Sequence, residues 1–208
     1  MNKSIIIIGN GGQASVLTEI LLLQHRDILG FTAPKEEVNR YGLKYLGTDS
    51  VITNYNPEEI ELVLGIGTVR ISNFRETLFE KMNKIGYTFA TCIHNKAIIS
   101  KTAILAEGTQ VMAGAIIQPH AQIGKNTIIN TGAIIEHDCV VGSHVHIAPG
   151  TTLSGSVIIG DGSHIGTGSS IIQAVEIGEK TLIGAGAVVI SNIGTNKKAF
   201  GVPAKEVK

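Results

Sequence analysis

The sequence has no tryptophan and few other aromatic residues, and this scarcity limits the kind of core that it can build. Only 4% of the 208 residues are Phe, Tyr or Trp, whereas glycine occurs 25 times. An interior built around large rings is therefore excluded. Thin layers of isoleucine, valine and alanine fit the composition instead.

The sequence also has no excess charge of one sign, only two cysteines and no long apolar run. Lys and Arg together number 17, as do Asp and Glu, so the net charge of zero does not favour binding to nucleic acid or anionic lipid. Cys92 and Cys139 are too few for a disulfide framework, so a reducing compartment is expected. The four isoleucines near the N-terminus are too few for a secretion signal, and no run is long enough to cross a membrane. We expect a soluble, cytoplasmic protein.

A period of six residues fills the C-terminal half. Steps of six from Ile99 to Val189 meet an aliphatic residue at all sixteen positions. These positions are Ile99, Leu105, Val111, Ile117, Ile123, Ile129, Ile135, Val141, Ile147, Leu153, Ile159, Ile165, Ile171, Ile177, Ile183 and Val189. Two residues before each of them lies a small or β-branched residue, from Ala97 to Ala187. Because residues two apart in a strand share a face, each hexad presents a two-residue inward stripe.

Short flat faces with a turn every six residues predict a triangular prism, in the form of a parallel β-helix. Three hexads per coil would give about five coils, each stacked on its neighbours alone. Glycine follows the inward aliphatic residue at positions 124, 142, 160, 166, 178 and 184. We expect these glycines at corners where the backbone needs positive φ.

The front of the chain predicts a small α/β domain. Strands are predicted at 3–8, 27–32, 60–67 and 87–94, and helices at 15–25 and 71–85. The predicted domains are an α/β nucleotide-sugar-binding domain at 1–93 and a β-helix domain at 94–208 with a short tail.

The turn after the first strand fits a phosphate-binding fingerprint. Gly9, Gly11 and Ala14 match its glycine spacing, although a tight strand-to-helix connection alone would explain them. The second strand ends at Thr32 and Ala33 instead of an acidic residue, which argues against NAD. The N-terminus of the helix could still hold a diphosphate.

Titratable residues gather in the stretch that reads IIEHDCVVGSHVHIAPG. Ile135 and Cys139 point inward in the hexad frame, so Glu136, His137 and Asp138 form a corner. A histidine beside a carboxylate outside the core is what a general base needs, although an ordinary surface histidine is the alternative. The histidine spacing fits no zinc pattern, and no metal site is predicted.

The front domain, the hexads and the sequences NTGAIIEHD, HIAPG and GVPAK together resemble the hexapeptide-repeat acyltransferases. These enzymes pair a nucleotide-binding half-Rossmann domain with an all-β, left-handed parallel β-helix. Within them the chain is similar to bacterial nucleotide-amino-sugar N-acetyltransferases of the bacillosamine type and to sialic-acid O-acetyltransferases. The resemblance implies acetyl-CoA as co-substrate, a nucleotide-linked amino sugar as acceptor, and a homotrimer with active sites between subunits.

The resemblance also implies roles for individual residues. His137 would be the general base, and Asp138 would favour its taking up a proton. The acetyl-CoA channel would be lined by His146, Gly155 and Ala185. The nucleotide sugar would contact Gly11, Gly12, Gln13, Gly65 and Gly67, with Asn130 on the sugar.

Two departures from the family leave the nucleotide carrier open among UDP, dTDP and GDP. Gln13 stands where the family commonly has histidine. Thr32 and Ala33 stand where the bacillosamine-type enzyme has an acidic pair.

The preferred function is direct transfer of an acetyl group to the 4-amino group of a nucleotide-linked amino-deoxysugar, with a histidine as general base. The first alternative is O-acetylation of a sialic or related nonulosonic acid, whose carboxylate would need a cation such as Arg70 or Arg75. The second alternative is a non-catalytic protein that binds sugar nucleotides.

Overall fold

The structure, a computed structural model, describes residues 3–68 and 72–207. Contacts divide these residues into two units. The first contains the described residues up to Gly67 together with Phe74–Asn95, and the second contains those from Lys96 onward together with Thr68, Ser72 and Asn73. None of the helices in the described part of the chain is both long and apolar enough to cross a membrane.

The first unit is built on a four-stranded parallel sheet with the strand order β3-β2-β1-β4. Its elements are β1 (Ser4–Ile8), α1 (Gly12–Leu23), β2 (Ile28–Thr32), β3 (Tyr45–Gly47), a 3₁₀ helix (Asp49–Asn54), β4 (Ile60–Leu64), α2 (Phe74–Lys84) and β5 (Cys92–Ile93). The four isoleucines of β1 are at most 1% exposed. A strand with a neighbour on each side and both faces covered requires such an unbroken apolar run.

The predicted first three strands and the first helix are confirmed, whereas the expected fourth strand is only partly formed. It supplies an isolated parallel bridge from Phe89 to Leu62 in β4, and then the two residues of β5. The sequence patterns did not predict β3 or the 3₁₀ helix, because β3 is only three residues long and half-buried. The second helix begins at Phe74, and its predicted start at residue 71 lies outside the described residues.

The second unit is a parallel β-helix whose short strands fall in turn on three sheets. Its strands are β6 (Ile98–Ile99), β7 (Ile104–Leu105), β8 (Gln110–Val111), β9 (Ile116–Ile117), β10 (Gln122–Ile123), β11 (Ile128–Ile129), β12 (Ile134–Ile135), β13 (Val140–Val141), β14 (His146–Ile147), β15 (Thr152–Leu153), β16 (Ile158–Ile159), β17 (His164–Ile165), β18 (Ser170–Ile171), β19 (Glu176–Ile177), β20 (Leu182–Ile183), β21 (Val188–Val189), β22 (Lys198–Phe200) and β23 (Lys205–Val207).

The three sheets define three faces of the prism. Face 1 contains β6, β9, β12, β15, β18 and β21, and face 2 contains β7, β10, β13, β16 and β19. Face 3 contains β8, β11, β14, β17, β20 and β22, with β23 antiparallel at its end. The register pairs Ile135 with Leu153 and Ile147 with Ile165, each eighteen residues apart. The predicted coil of three hexads is therefore confirmed.

The predicted inward column forms the core of the prism. Every member from Val111 to Val189 is at most 2% exposed, and only Ile99 and Leu105, near the start of the β-helix, are half-buried. Each buried aliphatic side chain stabilises the fold by about 1.5–3 kcal/mol.

The expectation of positive φ at the glycines after the inward residues was wrong. Positive φ occurs two residues later, as at Asn126 after Gly124 and at His144 after Gly142. Glycine is required at these positions because the next coil leaves no room for a side chain. A Cβ on Gly160, for example, would lie 2.5 Å from the backbone nitrogen of Glu179 in the next coil. Successive coils therefore approach too closely at this position for any side chain.

Replacing Gly160 with alanine should destabilise the β-helix by about 1–3 kcal/mol, because the next coil must shift to admit the methyl group. The matched control is Ala174→Gly at a corner position with φ of 58°, where a glycine should cause no loss of stability. Urea denaturation of both variants measures the difference. Equal stability of Gly160→Ala and the native chain would contradict the steric explanation.

Candidate active site

The corner between β12 and β13 presents a histidine bonded to a carboxylate. The Nδ1 atom of His137 lies 2.7 Å from Oδ2 of Asp138, and both side chains are 54% exposed. Asp138 has φ of 59°, a conformation that aspartate tolerates better than most residues. Because Nδ1–H donates to the carboxylate, the lone pair of the neutral ring is on Nε2. Of the two carboxylates expected near this ring, Asp138 makes the contact.

Gly155 lies against the ring of His137 from the next coil. A Cβ at this position would be 2.6 Å from Cε1 and 2.7 Å from Nε2 of His137. The absence of a side chain at Gly155 therefore leaves the space in which the imidazole rests. The resemblance implied a place for Gly155 in an acetyl-CoA channel, and the structure places it beneath the ring.

Cys139, the next residue after this corner, points into the prism as expected. Its Sγ atom lies 3.1 Å from the carbonyl oxygen of Ser154, and the residue is fully buried. Burial raises the pKa of its thiol. A buried thiol with a raised pKa is a poor nucleophile.

A groove of about 430 Å³ lies along face 3 and the corner that follows it. It is lined by Thr68, Asn130, His146, Ala148, Pro149, His164, Gly166, Thr167, Leu182, Ile183, Gly184, Ala185 and Phe200. The structure thus brings together three of the predicted residues, namely Asn130, His146 and Ala185.

His146 is held in the groove wall by hydrogen bonds to both ring nitrogens. Its Nε2 accepts from the side-chain amide of Asn130 at 3.0 Å, and its Nδ1 lies 2.9 Å from the hydroxyl of Thr68. The backbone N–H of Thr131 donates to Oδ1 of Asn130 and thereby orients the amide. A ring that accepts at Nε2 carries its proton on Nδ1. His146 is therefore a neutral, 8% exposed part of the wall, with neither nitrogen free to accept a proton.

His164 is a groove residue for which the sequence suggested no role. Its ring centre lies 4.9 Å from that of His146 at an interplanar angle of 80°. Burial lowers its pKa, and its Nδ1 has no hydrogen-bond partner among the described residues. The eighteen-residue spacing from His146 was the signal that could have placed it here. Within the described ranges, no group of three or more His, Cys, Asp and Glu side chains is arranged to hold a metal ion.

His137 and the groove lie on different edges of the prism. His137 is at the corner between faces 1 and 2, whereas the groove runs along face 3 and the corner between faces 3 and 1. His137 and Gly155 are not among the groove residues. One copy of the prism therefore does not bring the candidate base and the groove together.

A second cavity, of about 330 Å³, lies in the first unit at the carboxyl ends of the strands. Its wall contains all five residues predicted there, namely Gly11, Gly12, Gln13, Gly65 and Gly67. Sequence reasoning did not anticipate Asn10, Asp49 or Phe74, which also line it. Asp49 follows a strand that the sequence patterns did not reveal.

The glycines of this cavity have different physical roles. A Cβ on Gly11 or Gly12 would meet nothing within 4 Å, so their lack of a side chain keeps space open. Helix α1 begins there without a side-chain cap, which leaves its first N–H groups and the positive end of its dipole for a ligand. A Cβ on Gly65 would be 2.7 Å from that of Ala14, so this glycine lets the end of β4 pack closely on the helix.

Arg75 stabilises the turn after β4 from inside the first unit. Its guanidinium donates to the carbonyl oxygen of Leu64 at 3.1 Å and to that of Ile66. The side chain is buried, and desolvation lowers the pKa of Arg75 to about 9. Since it is engaged in this way, Arg75 is a poor candidate for binding a sialic acid carboxylate. The other candidate, Arg70, lies outside the described residues.

Comparison with known proteins places these features in one family. Residues 4–82 match the PglD N-terminal domain, and residues 120–155 match the bacterial transferase hexapeptide repeat. The acetyltransferase domain of PglB from Neisseria gonorrhoeae is 31% identical, with a TM-score of 0.93 over 99% of this chain and 100% of that one. PerB from Caulobacter crescentus, solved with CoA and GDP-perosamine, is 32% identical, with a TM-score of 0.92 over 100% of this chain and 99% of that one.

A curated relative matches over a shorter stretch. UDP-N-acetylbacillosamine N-acetyltransferase of Bacillus subtilis is 38% identical over 113 residues, which are 53% of this chain and about half (52%) of that protein. The chain belongs to the hexapeptide-repeat acyltransferases that join a PglD-type domain to a left-handed β-helix, in the branch of the nucleotide-amino-sugar N-acetyltransferases.

Replacing Gly155 with alanine should displace the imidazole of His137 and lower the rate of acetyl transfer by at least about tenfold. The fold should survive, because the atoms in the way belong to the end of an exposed side chain. Steady-state turnover and thermal unfolding of Gly155→Ala test this, with Ser156→Ala at the same corner as control. An active Gly155→Ala enzyme would show that the ring does not depend on this space.

Both thiols should be inert in the folded protein. Cys92 and Cys139 are fully buried, and desolvation raises the pKa of Cys92 to about 12. Dithionitrobenzoate should therefore react with both cysteines only after unfolding in guanidinium. Rapid reaction of either thiol in the native protein would contradict the assigned burial.

Proposed function

We propose that the protein transfers the acetyl group of acetyl-CoA to the 4-amino group of a nucleotide-linked amino-deoxysugar. The observation that carries this proposal is the His137–Asp138 pair. It combines an exposed ring, a 2.7 Å hydrogen bond that sets the tautomer, and a lone pair on Nε2.

His137 acts as the general base in this reaction. As the sugar nitrogen attacks the thioester carbonyl, Nε2 of His137 takes one proton from that nitrogen. The new C–N bond forms and the C–S bond breaks, and the same proton then returns to the sulfur of CoA. Asp138 keeps the ring in the required tautomer and stabilises the imidazolium that forms transiently.

Transfer is direct, without an acyl-enzyme. The thiol nearest to His137 in sequence, Cys139, is buried inside the prism and bonded to a carbonyl oxygen. No other thiol lies in the second unit. Acetyl-CoA and the acceptor are therefore bound at the same time.

The groove of face 3 binds acetyl-CoA, with His146 and Ala185 in its wall and Asn130 at the end nearest the acceptor sugar. Both ring nitrogens of His146 are already hydrogen-bonded, so His146 does not compete with His137 for the proton of the sugar nitrogen. The neutral ring also brings no charge into the groove that binds acetyl-CoA.

The active site is shared between copies of the chain, in a homotrimer. His137 and the groove lie on different edges of one prism, so the base of one copy must meet the groove of another. Face 2, which adjoins His137, supports this arrangement. Its outward side chains include Ile104, Val140 and Ile158, which are 62%, 39% and 41% exposed. A neighbouring prism would remove these apolar side chains from water.

The cavity of the first unit binds the nucleotide sugar, with the diphosphate at the N-terminus of α1 beside Gly11, Gly12 and Gln13. The relatives differ in carrier, since one is named for a UDP sugar and another was solved with a GDP sugar. We place the reaction in the cytoplasm, which fits two free, buried cysteines.

Release of free CoA thiol tests the proposal directly. The acceptors are UDP-, dTDP- and GDP-linked 4-amino-6-deoxysugars, with free sialic acid as the competing acceptor. We expect turnover with one of the amino sugars. Turnover with sialic acid alone would make the protein an O-acetyltransferase, and binding of sugar nucleotides without any thiol release would make it a non-catalytic binding protein.

His137→Ala should lose about 100- to 10,000-fold in kcat while keeping the fold and the trimer, because the ring is exposed and supplies the base. The control is His120→Ala, which removes another exposed histidine one coil earlier on the same edge. Both variants are assayed for thiol release and for size by light scattering. A fall of less than about fivefold in kcat for His137→Ala would refute its role as the base.

A further inference from the structure

His164 is a groove residue that has no role in the function described so far. It lies on β17, one coil after His146, and its side chain is 9% exposed. Its Nδ1 is inaccessible to solvent and has no hydrogen-bond partner within residues 3–68 and 72–207. Its Nε2 has no partner among these residues either, but this nitrogen remains accessible, and the side chain lines the groove. His164 therefore presents one open ring nitrogen, Nε2, to a molecule in the groove.

The tautomer of His164 follows from the surroundings of its two ring nitrogens. Burial lowers the pKa of His164, so the ring is neutral at neutral pH and carries a single N–H. A buried N–H without an acceptor is rarer in folded proteins than a buried acceptor without a donor. The proton is therefore on Nε2, and His164 offers the groove a hydrogen-bond donor.

The other polar side chains of the groove are either bonded to one another or exposed. Thr68 and Asn130 are both hydrogen-bonded to His146, and Thr167 is exposed. No charged side chain belongs to the groove wall within the described part of the chain, and the rest of the wall is apolar or glycine. Such a wall suits an uncharged chain that carries a hydrogen-bond acceptor, and it offers no cation to a phosphate.

The pantetheine arm of acetyl-CoA is an uncharged chain of this kind, because short runs of carbon separate its amide groups. The proposed function puts the thioester end of the arm beside Asn130. His164 lies two coils further along the prism, roughly 10 Å away, so it meets the arm beyond the thioester. Resting on the proposed function, we infer that His164 donates a hydrogen bond from Nε2 to an amide carbonyl oxygen of the pantetheine arm and thereby positions acetyl-CoA.

Calorimetric titration of the full chain with CoA tests the inference without an acceptor sugar or turnover. His164→Phe keeps a flat ring against His146 but removes the donor, and it should weaken the binding of CoA about 5- to 20-fold. His164→Gln removes the ring but restores an N–H donor, and it should bind CoA more tightly than His164→Phe does. This order separates a hydrogen-bonding role from a packing role, since packing alone would favour the aromatic variant.

The matched control is His120→Ala, which removes an exposed histidine outside the groove and should bind CoA as the native chain does. Thermal unfolding of each variant shows whether its fold is intact. In turnover, His164→Phe should raise the KM for acetyl-CoA and change kcat by less than about threefold, because the contact is the same before and during transfer.

Two outcomes would overturn the inference, namely a loss of less than about twofold in CoA affinity for His164→Phe, and tighter binding by His164→Phe than by His164→Gln. A native chain that binds no CoA would overturn the proposed function as well. Weakened CoA binding by His164→Phe, rescued by His164→Gln, in a protein without any acetyl transfer would leave the role of His164 standing while the proposed reaction fails.

Discussion

The stacking of inward aliphatic residues every eighteen positions is the constraint on which the second unit depends. Because each inward side chain rests on one from the coil below, the register of every coil is set by its neighbours, as in the pairing of Ile135 with Leu153. A slip of one residue would turn the aliphatic column outward. Once this register is set, the position of every corner and every outward side chain follows.

The same constraint separates the two halves of the proposed chemistry. His137 comes two residues after the inward Ile135, so it lies at the corner between faces 1 and 2. His146 comes one residue before the inward Ile147, so it lies on face 3. No rotamer change can bring residues together that the coil places on different edges. The proposed chemistry therefore requires an assembly of several prisms, which would also cover the exposed apolar side chains of face 2.

The sequence predicted much of this arrangement because the hexad is a strong local signal. The inward column, the corner of His137 and Asp138, and the burial of Cys139 all follow from counting by six. Other features depend on contacts that no period reveals. The hydrogen bond between the ring of His146 and the hydroxyl of Thr68 and that from Thr32 to Asp49 join residues 78 and 17 positions apart in the chain. The role of the glycines after the inward residues was also misjudged, because counting along the chain does not show how closely the next coil approaches Gly160.

Complementation between two inactive variants tests the shared active site most directly. His137→Ala removes the base, and Ala185→Trp fills the groove, so trimers made of either variant alone should be inactive. After the two chains are mixed and allowed to form trimers at random, about a quarter of the sites should combine an intact base from one copy with an intact groove from another. Recovery of about that fraction of native turnover is the predicted result. A mixture as inactive as its components would show that base and groove act within one copy, and would contradict the account.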